Sequence, residues 1–221
     1  QKAALTINQA LGGFAFTFDT PGLQQLTGEA AKFQEKLGAS NEEVAGLAQS
    51  ALVTGKGFEQ IQLEVLGITN QLKSQTGIRL NEAQLLKEAS SVTGQIRAQL
   101  GGSVVEIGKA LAVTKSFGME LRDVKDVSRS LLDFESSISN ELEAELLTGK
   151  QLNLERARLL ALTGDIEGLS REINSQIGDF SDFSNMNVIQ QEKLAAAFGM
   201  SSDQLSDILL KEANIEELKQ K

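Results

Sequence analysis

The sequence predicts an all-α protein. It reads as short amphipathic helices joined by glycine-containing turns around one long helix, in an elongated or coiled-coil-like oligomer. Three observations predict this. From Met119 to Leu147, apolar residues fall at Leu121, Val124, Val127, Leu131, Phe134, Ile138, Leu142 and Leu146, in steps of three and four. A helical run ending in an apolar residue and Gly, then an apolar residue and N-cap types, recurs along the chain. The aromatic fraction is only 5%, all of it Phe, so Leu, Ile, Val and Ala carry the packing, as in bundles and coiled coils.

The stripe leaves Arg122, Asp123, Asp126, Arg129, Glu135, Glu141 and Glu145 mostly off its line. Its mean step is about 3.6 residues, which fits a lone amphipathic helix and a coiled-coil strand equally. A helix of about 29 residues would run roughly 43 Å at 1.5 Å per residue, long for a compact domain of this size. The eight stripe residues are the predicted self-association seam.

Taken in order, residues 1–22 form an N-terminal segment. A short helix ends near Gly12-Gly13, Phe14-Ala15-Phe16-Thr17-Phe18 alternates as a strand does, and Asp19-Thr20-Pro21-Gly22 reads as a turn. The Phe-rich stretch fits a hook that docks on a partner or, more simply, a capped loop tucked onto the first helices. Residues 23–118 follow as short helices near 23–37, 41–53, 58–66, 81–99 and 103–117. Residues 119–176 hold the long helix at 119–147 and helices near 150–162 and 165–176. Residues 177–221 hold a loop, Ile177 to Asn187, and helices near 187–198 and 202–212. The joints are expected at Gly38, Gly67, Gly77, Gly118 and Gly199, where a left-handed C′ glycine precedes an apolar residue. A second punctuation, Thr-Gly, occurs at Thr27-Gly28, Thr54-Gly55, Thr93-Gly94, Thr148-Gly149 and Thr163-Gly164. Their unequal spacing excludes a repeat of fixed period.

Composition narrows function. The 221 residues include no His, Cys, Trp or Tyr, which removes the usual zinc ligands, nucleophilic Cys and Ser-His-Asp triads. A net charge of −9 argues against specific nucleic-acid binding and against anionic membranes. No apolar run approaches the ~20 residues of a membrane span. Opening at Gln1 without a basic n-region or an initiator Met, the sequence reads as a piece of a longer chain or a processed product.

Three patterns look like chemistry and fail on spacing. Thr54-Gly55-Lys56-Gly57 and Leu147-Thr148-Gly149-Lys150-Gln151 have no Gly five residues before the Gly-Lys and no Ser or Thr after it, so neither is a phosphate-binding loop. A helix C-cap with a solvated Lys accounts for both. Asp179, Asp182 and Asn185 are spaced by three rather than two and lack the Gly and terminal Glu of an EF-hand. Glu141, Glu143 and Glu145 lie on one helix rather than across a cleft, so Glu141 and Glu145 read as a solvated acidic face. Glu155, Arg156 and Arg158 read as surface ion pairs. The expectation is no enzyme, no cofactor and no metal.

A more specific texture lies in the second half. Leu132-Asp133-Phe134-Glu135-Ser136-Ser137-Ile138, then Glu141-Leu142-Glu143-Ala144-Glu145-Leu146-Leu147-Thr148-Gly149-Lys150, then Leu152-Asn153-Leu154-Glu155-Arg156-Ala157-Arg158 resembles phage tail tape measure proteins. Ala161-Leu162-Thr163-Gly164-Asp165, and Asn187-Val188-Ile189-Gln190-Gln191-Glu192-Lys193-Leu194-Ala195 leading into Phe198-Gly199-Met200-Ser201, continue it. The resemblance covers roughly Ala51 to Lys211 and leaves out the Phe14–Phe18 stretch. It implies a helical virion protein, assembled in the host cytoplasm, that lies in the tail tube or is held at the tail tip. Such a protein sets tail length and contacts tube and tip or baseplate hub proteins, in three or six copies. This chain would be a segment of one. The alternative is a non-viral helical coiled-coil scaffold or interaction module. A helical hydrolase using only Asp and Glu is the least supported reading.

Overall fold

The computed structural model describes residues 21–78, 80–92 and 94–220. Among them it shows thirteen α-helices and no strand, so the all-α class holds. The expected helix before Gly12 and the Phe14–Phe18 stretch lie outside the described residues. The helices are α1 (Pro21–Leu37), α2 (Asn41–Thr54), α3 (Phe58–Thr76), α4 (Glu82–Ser91), α5 (Gly94–Gln99), α6 (Val104–Ser116) and α7 (Leu121–Leu132). They continue as α8 (Phe134–Thr148), α9 (Glu155–Thr163), α10 (Ile166–Ile177), α11 (Phe180–Ser184), α12 (Val188–Ala197) and α13 (Ser202–Gln220).

Several sequence expectations need correcting. The central one is the long helix at 119–147, which is two helices with a break at Asp133, φ −80° and ψ 80°. The 81–99 helix is likewise two, because Val92 turns extended (ψ 127°) and Gly94 takes φ +67°. Conversely, α3 runs through the joint expected at Gly67, since the residues on both sides of it pack on one face: Ile61, Val65, Thr69 and Leu72 are all buried. Gly28 lies inside α1, and Pro21-Gly22 open that helix rather than close a turn. The loop at 177–187 contains α11, whose start is capped by the Asp179 carboxylate accepting the Asp182 N–H at 2.7 Å. Helix α9 begins only at Glu155, and α13 runs on to Gln220.

The chain divides into two compact units, residues 21–75 with 80–112, and residues 76–78 with 113–220. In the first unit α1 packs on α2 and α2 on α4. Its core includes Leu47, Ile61, Leu86 and Ile107, and Phe33 meets Phe58 edge to face with ring centroids 6.2 Å apart. Ser40 and Glu43 close a reciprocal cap on α2, as the Ser-Asn-Glu-Glu spelling requires.

Arg97 is the buried centre of this unit. Its guanidinium donates to the carbonyls of Ser90 (2.7 Å), Val92 (2.6 Å), Gly46 (3.3 Å) and Gly102 (3.3 Å). Burial pushes its pKa down, because a cation loses water there. The four carbonyl dipoles, two of them at the end of α4, offset that loss.

In the second unit α7 packs on α9 and α10, α8 on α12, and α13 on both α11 and α12. Two Phe-Gly-Met joints organise it. At each, Gly and Met bond back in the same pattern, Gly118 to Lys115 and Met119 to Thr114, Gly199 to Ala196 and Met200 to Ala195. Each glycine also touches the helix that follows the other joint. A Cβ on Gly118 would sit 2.7 Å from the Ile208 carbonyl oxygen on α13, and one on Gly199 would sit 2.1 Å from the Ser130 Cβ on α7. Positive φ and close approach together demand glycine at both.

Candidate interaction surface

The helix α8 is where sequence pattern and packing part. Its buried residues are the small ones, Ser137 and Ala144, seven apart and so on one face. At 100° per residue, Leu142 and Leu146 lie roughly 140° to 170° around the helix from that face. They are accordingly exposed.

The eight stripe residues thus divide at Asp133. Leu121, Val124, Val127 and Leu131 are buried within the second unit, while Phe134, Ile138, Leu142 and Leu146 are 49%, 47%, 59% and 84% exposed. The structure does not bring the eight together on one face. The last of the four, Leu146, lies beside further apolar surface: Leu147 is exposed at the end of α8, and Val188 and Ile189 at the start of α12. Gln190 joins those two ends by donating to the Leu147 carbonyl at 2.8 Å. Exposed large apolar residues that run the length of one helix and meet others at its end form a contiguous apolar patch of the kind that marks an association surface.

Beside this row, α8 is fastened to the loop that follows it. The Glu141 carboxylate accepts the Leu154 N–H at 2.8 Å, and Glu145 accepts the Leu152 N–H at 2.9 Å. Arg158 from α9 bonds the other Glu141 oxygen and the Ser137 hydroxyl, and both charged side chains are largely buried. Leu152 and Leu154 are thereby held in the core. This corrects two expectations: Glu141 and Glu145 are not a solvated face, and Arg158 is not a surface ion pair. Arg156 does reach Glu172 from the surface, at 3.4 Å, and Glu143 pairs with Lys193 at 2.5 Å in the open.

The other candidate motifs resolve into caps. Thr148 donates to the Ala144 carbonyl at 2.6 Å and accepts the Lys150 N–H at 3.2 Å; Thr54 does the same with Ser50 (2.7 Å) and Lys56 (3.4 Å). Gly55 and Gly149 follow with φ +70° and +69°. Asp179 is an N-cap, Asp182 pairs with Lys150 at 3.3 Å, and Asn185 ends α11. Among the described residues, no group of three or more acidic side chains is placed to hold a metal ion.

Comparison with known proteins ends here. No family model, curated protein or solved structure matches this chain. Function therefore rests on the surface and on the resemblance of the sequence. No helix among the described residues is long and apolar enough to cross a membrane.

Sequence reasoning missed Arg97 and the Arg158–Glu141 pair. A signal for the second was present: Glu at 141 and 145, Leu at 152 and 154, and Arg at 158 are in register across a Thr-Gly turn. The signal for Arg97 was absent, because its partners are carbonyl oxygens that any residue supplies.

Proposed function

We propose that this chain is a structural protein that works by association, a segment similar to a tail tape measure protein and part of a virion tail. The observation that carries the reading is the exposed row Phe134, Ile138, Leu142 and Leu146, which the chain leaves uncovered on a helix whose other face is packed. Its occupant is a second copy, because the row keeps the three-and-four spacing of a coiled-coil strand. Three or six copies is the expected number, with tube and tail-tip proteins as further partners. Helices of at most 19 residues that pack back on one another add less length per residue than a straight helix. That favours anchoring at the tail tip, for this segment, over measuring the tube.

Light scattering on the isolated chain over a dilution series tests the proposal. A trimer or hexamer that dissociates when Leu142→Glu and Leu146→Glu are introduced is the expected result. A monomer at every concentration overturns it. In a phage that carries the full protein, the same two substitutions should stop tails from assembling, and normal tails would show that the row anchors nothing.

A further inference from the structure

The break between α7 and α8 differs from every other helix joint among the described residues. Each of the others carries a left-handed glycine or a side-chain N-cap. Asp133 has neither: its φ is negative, and its side chain caps no backbone N–H. Its carboxylate instead accepts the Ser136 hydroxyl at 2.8 Å. No glycine or proline lies between Leu121 and Thr148. In the local sequence only Asp133 itself, a weak helix former, favours the break, and helical spacing of apolar residues runs straight through it. Only ψ of Asp133 departs far from helical, at 80° against about −42°.

What holds the bend is tertiary. Arg158 sits on α9, which packs on α7, and its guanidinium grips Ser137 and Glu141 of α8. The close approach of Gly199 to Ser130 ties the end of α12, the partner of α8, to α7. Both contacts are polar or small, and straightening the helix also parts α8 from α12.

We propose that Asp133 is a hinge and the Arg158–Glu141–Ser137 cluster its latch. When the latch opens, ψ of Asp133 turns helical and 121–148 becomes one helix. The α7 half of the stripe stays in the core, and the row from Phe134 to Leu146 then stands clear for a second copy. The proposal rests on the association reading for its occupant, but the hinge is a property of one chain and is tested apart from it.

The chain contains no cysteine, so two introduced thiols take spin labels uniquely. Arg122→Cys on α7 and Ser139→Cys on α8 are exposed sites off the stripe and the latch. A straight helix sets their Cα atoms roughly 26 Å apart, and the bend makes them closer. Pulsed dipolar spectroscopy on the labelled full chain should show the short distance in dilute solution. It should show a new population near 26 Å when Arg158→Ala opens the latch. Asp133→Ala leaves the latch intact and raises helix propensity at the break, so it should enrich the long distance about threefold. An unchanged short distance in Asp133→Ala, with circular dichroism showing a folded chain, overturns the hinge. Light scattering on the same samples separates the two readings. Oligomers that keep the short distance defeat the hinge and leave association standing. A long distance in a monomer supports the hinge and defeats association.

Discussion

The Glu141 carboxylate accepts the Leu154 N–H with one oxygen and the Arg158 guanidinium with the other. One side chain thus satisfies a loop amide and neutralises a buried cation, and it does so where Leu154 is fully buried. Removing it leaves both donors unpaired away from water, so Glu141→Ala should cost about 2 to 3 kcal/mol. Glu145→Ala strands only the Leu152 N–H and should cost about 1 kcal/mol. Urea unfolding of the isolated chain, followed by circular dichroism, measures both.

Glycine substitutions separate joints from helix interiors. Gly67 lies inside α3 with nothing near the position of a Cβ, so Gly67→Ala should raise stability by about 0.5 to 1 kcal/mol. A loss at that position would mean that a joint sits there after all. At Gly46 the result reverses. A Cβ would meet the Ser90 carbonyl oxygen at 1.8 Å, and α2 and α4 would have to move apart, so Gly46→Ala should cost about 3 kcal/mol or more.

Arg97 should tolerate no replacement. Arg97→Met keeps much of the bulk but strands the Ser90, Val92, Gly46 and Gly102 carbonyls, a loss of about 3 kcal/mol. Arg97→Lys should recover less than half, because a single ammonium does not span the carbonyls that a planar fork reaches. Thermal unfolding of the two variants side by side decides this, and equal midpoints for Lys and Arg would refute the carbonyl-fork account.

The exposed row should be neutral for folding. Ile138→Glu and Leu146→Glu remove no buried contact, so each should leave unfolding free energy within about 0.5 kcal/mol of the parent. In dilute solution, where the chain is monomeric, a loss above about 2 kcal/mol would show that the row is covered within the chain itself.

Much of this architecture was legible in the residues. Ser40 with Glu43 and Asn187 with Gln190 spell capping boxes, and Gly38, Gly55, Gly118, Gly149 and Gly199 mark true joints, because these rules act over four to six neighbouring residues. The same rules failed at Gly67, where a joint-like spelling sits within continuous apolar spacing and burial of Val65 and Thr69 carries the helix through. They failed at Asp133 for the opposite reason, since one weak helix former without glycine or proline does not by itself stop a helix.

The sequence by itself determined the helical class, most joints and caps, and the lack of the usual His- and Cys-based chemistry, since each depends on short-range sterics or on residue type alone. Tertiary structure decided which apolar residues are used. Ser137 and Ala144 won the interior of α8 because small side chains let it lie close against α12, and the latch through Glu141 and Arg158 turned the helix at Asp133. Half of one apolar stripe was thereby buried and half left facing outward, a choice that depends on contacts distant in sequence and that no local spacing records.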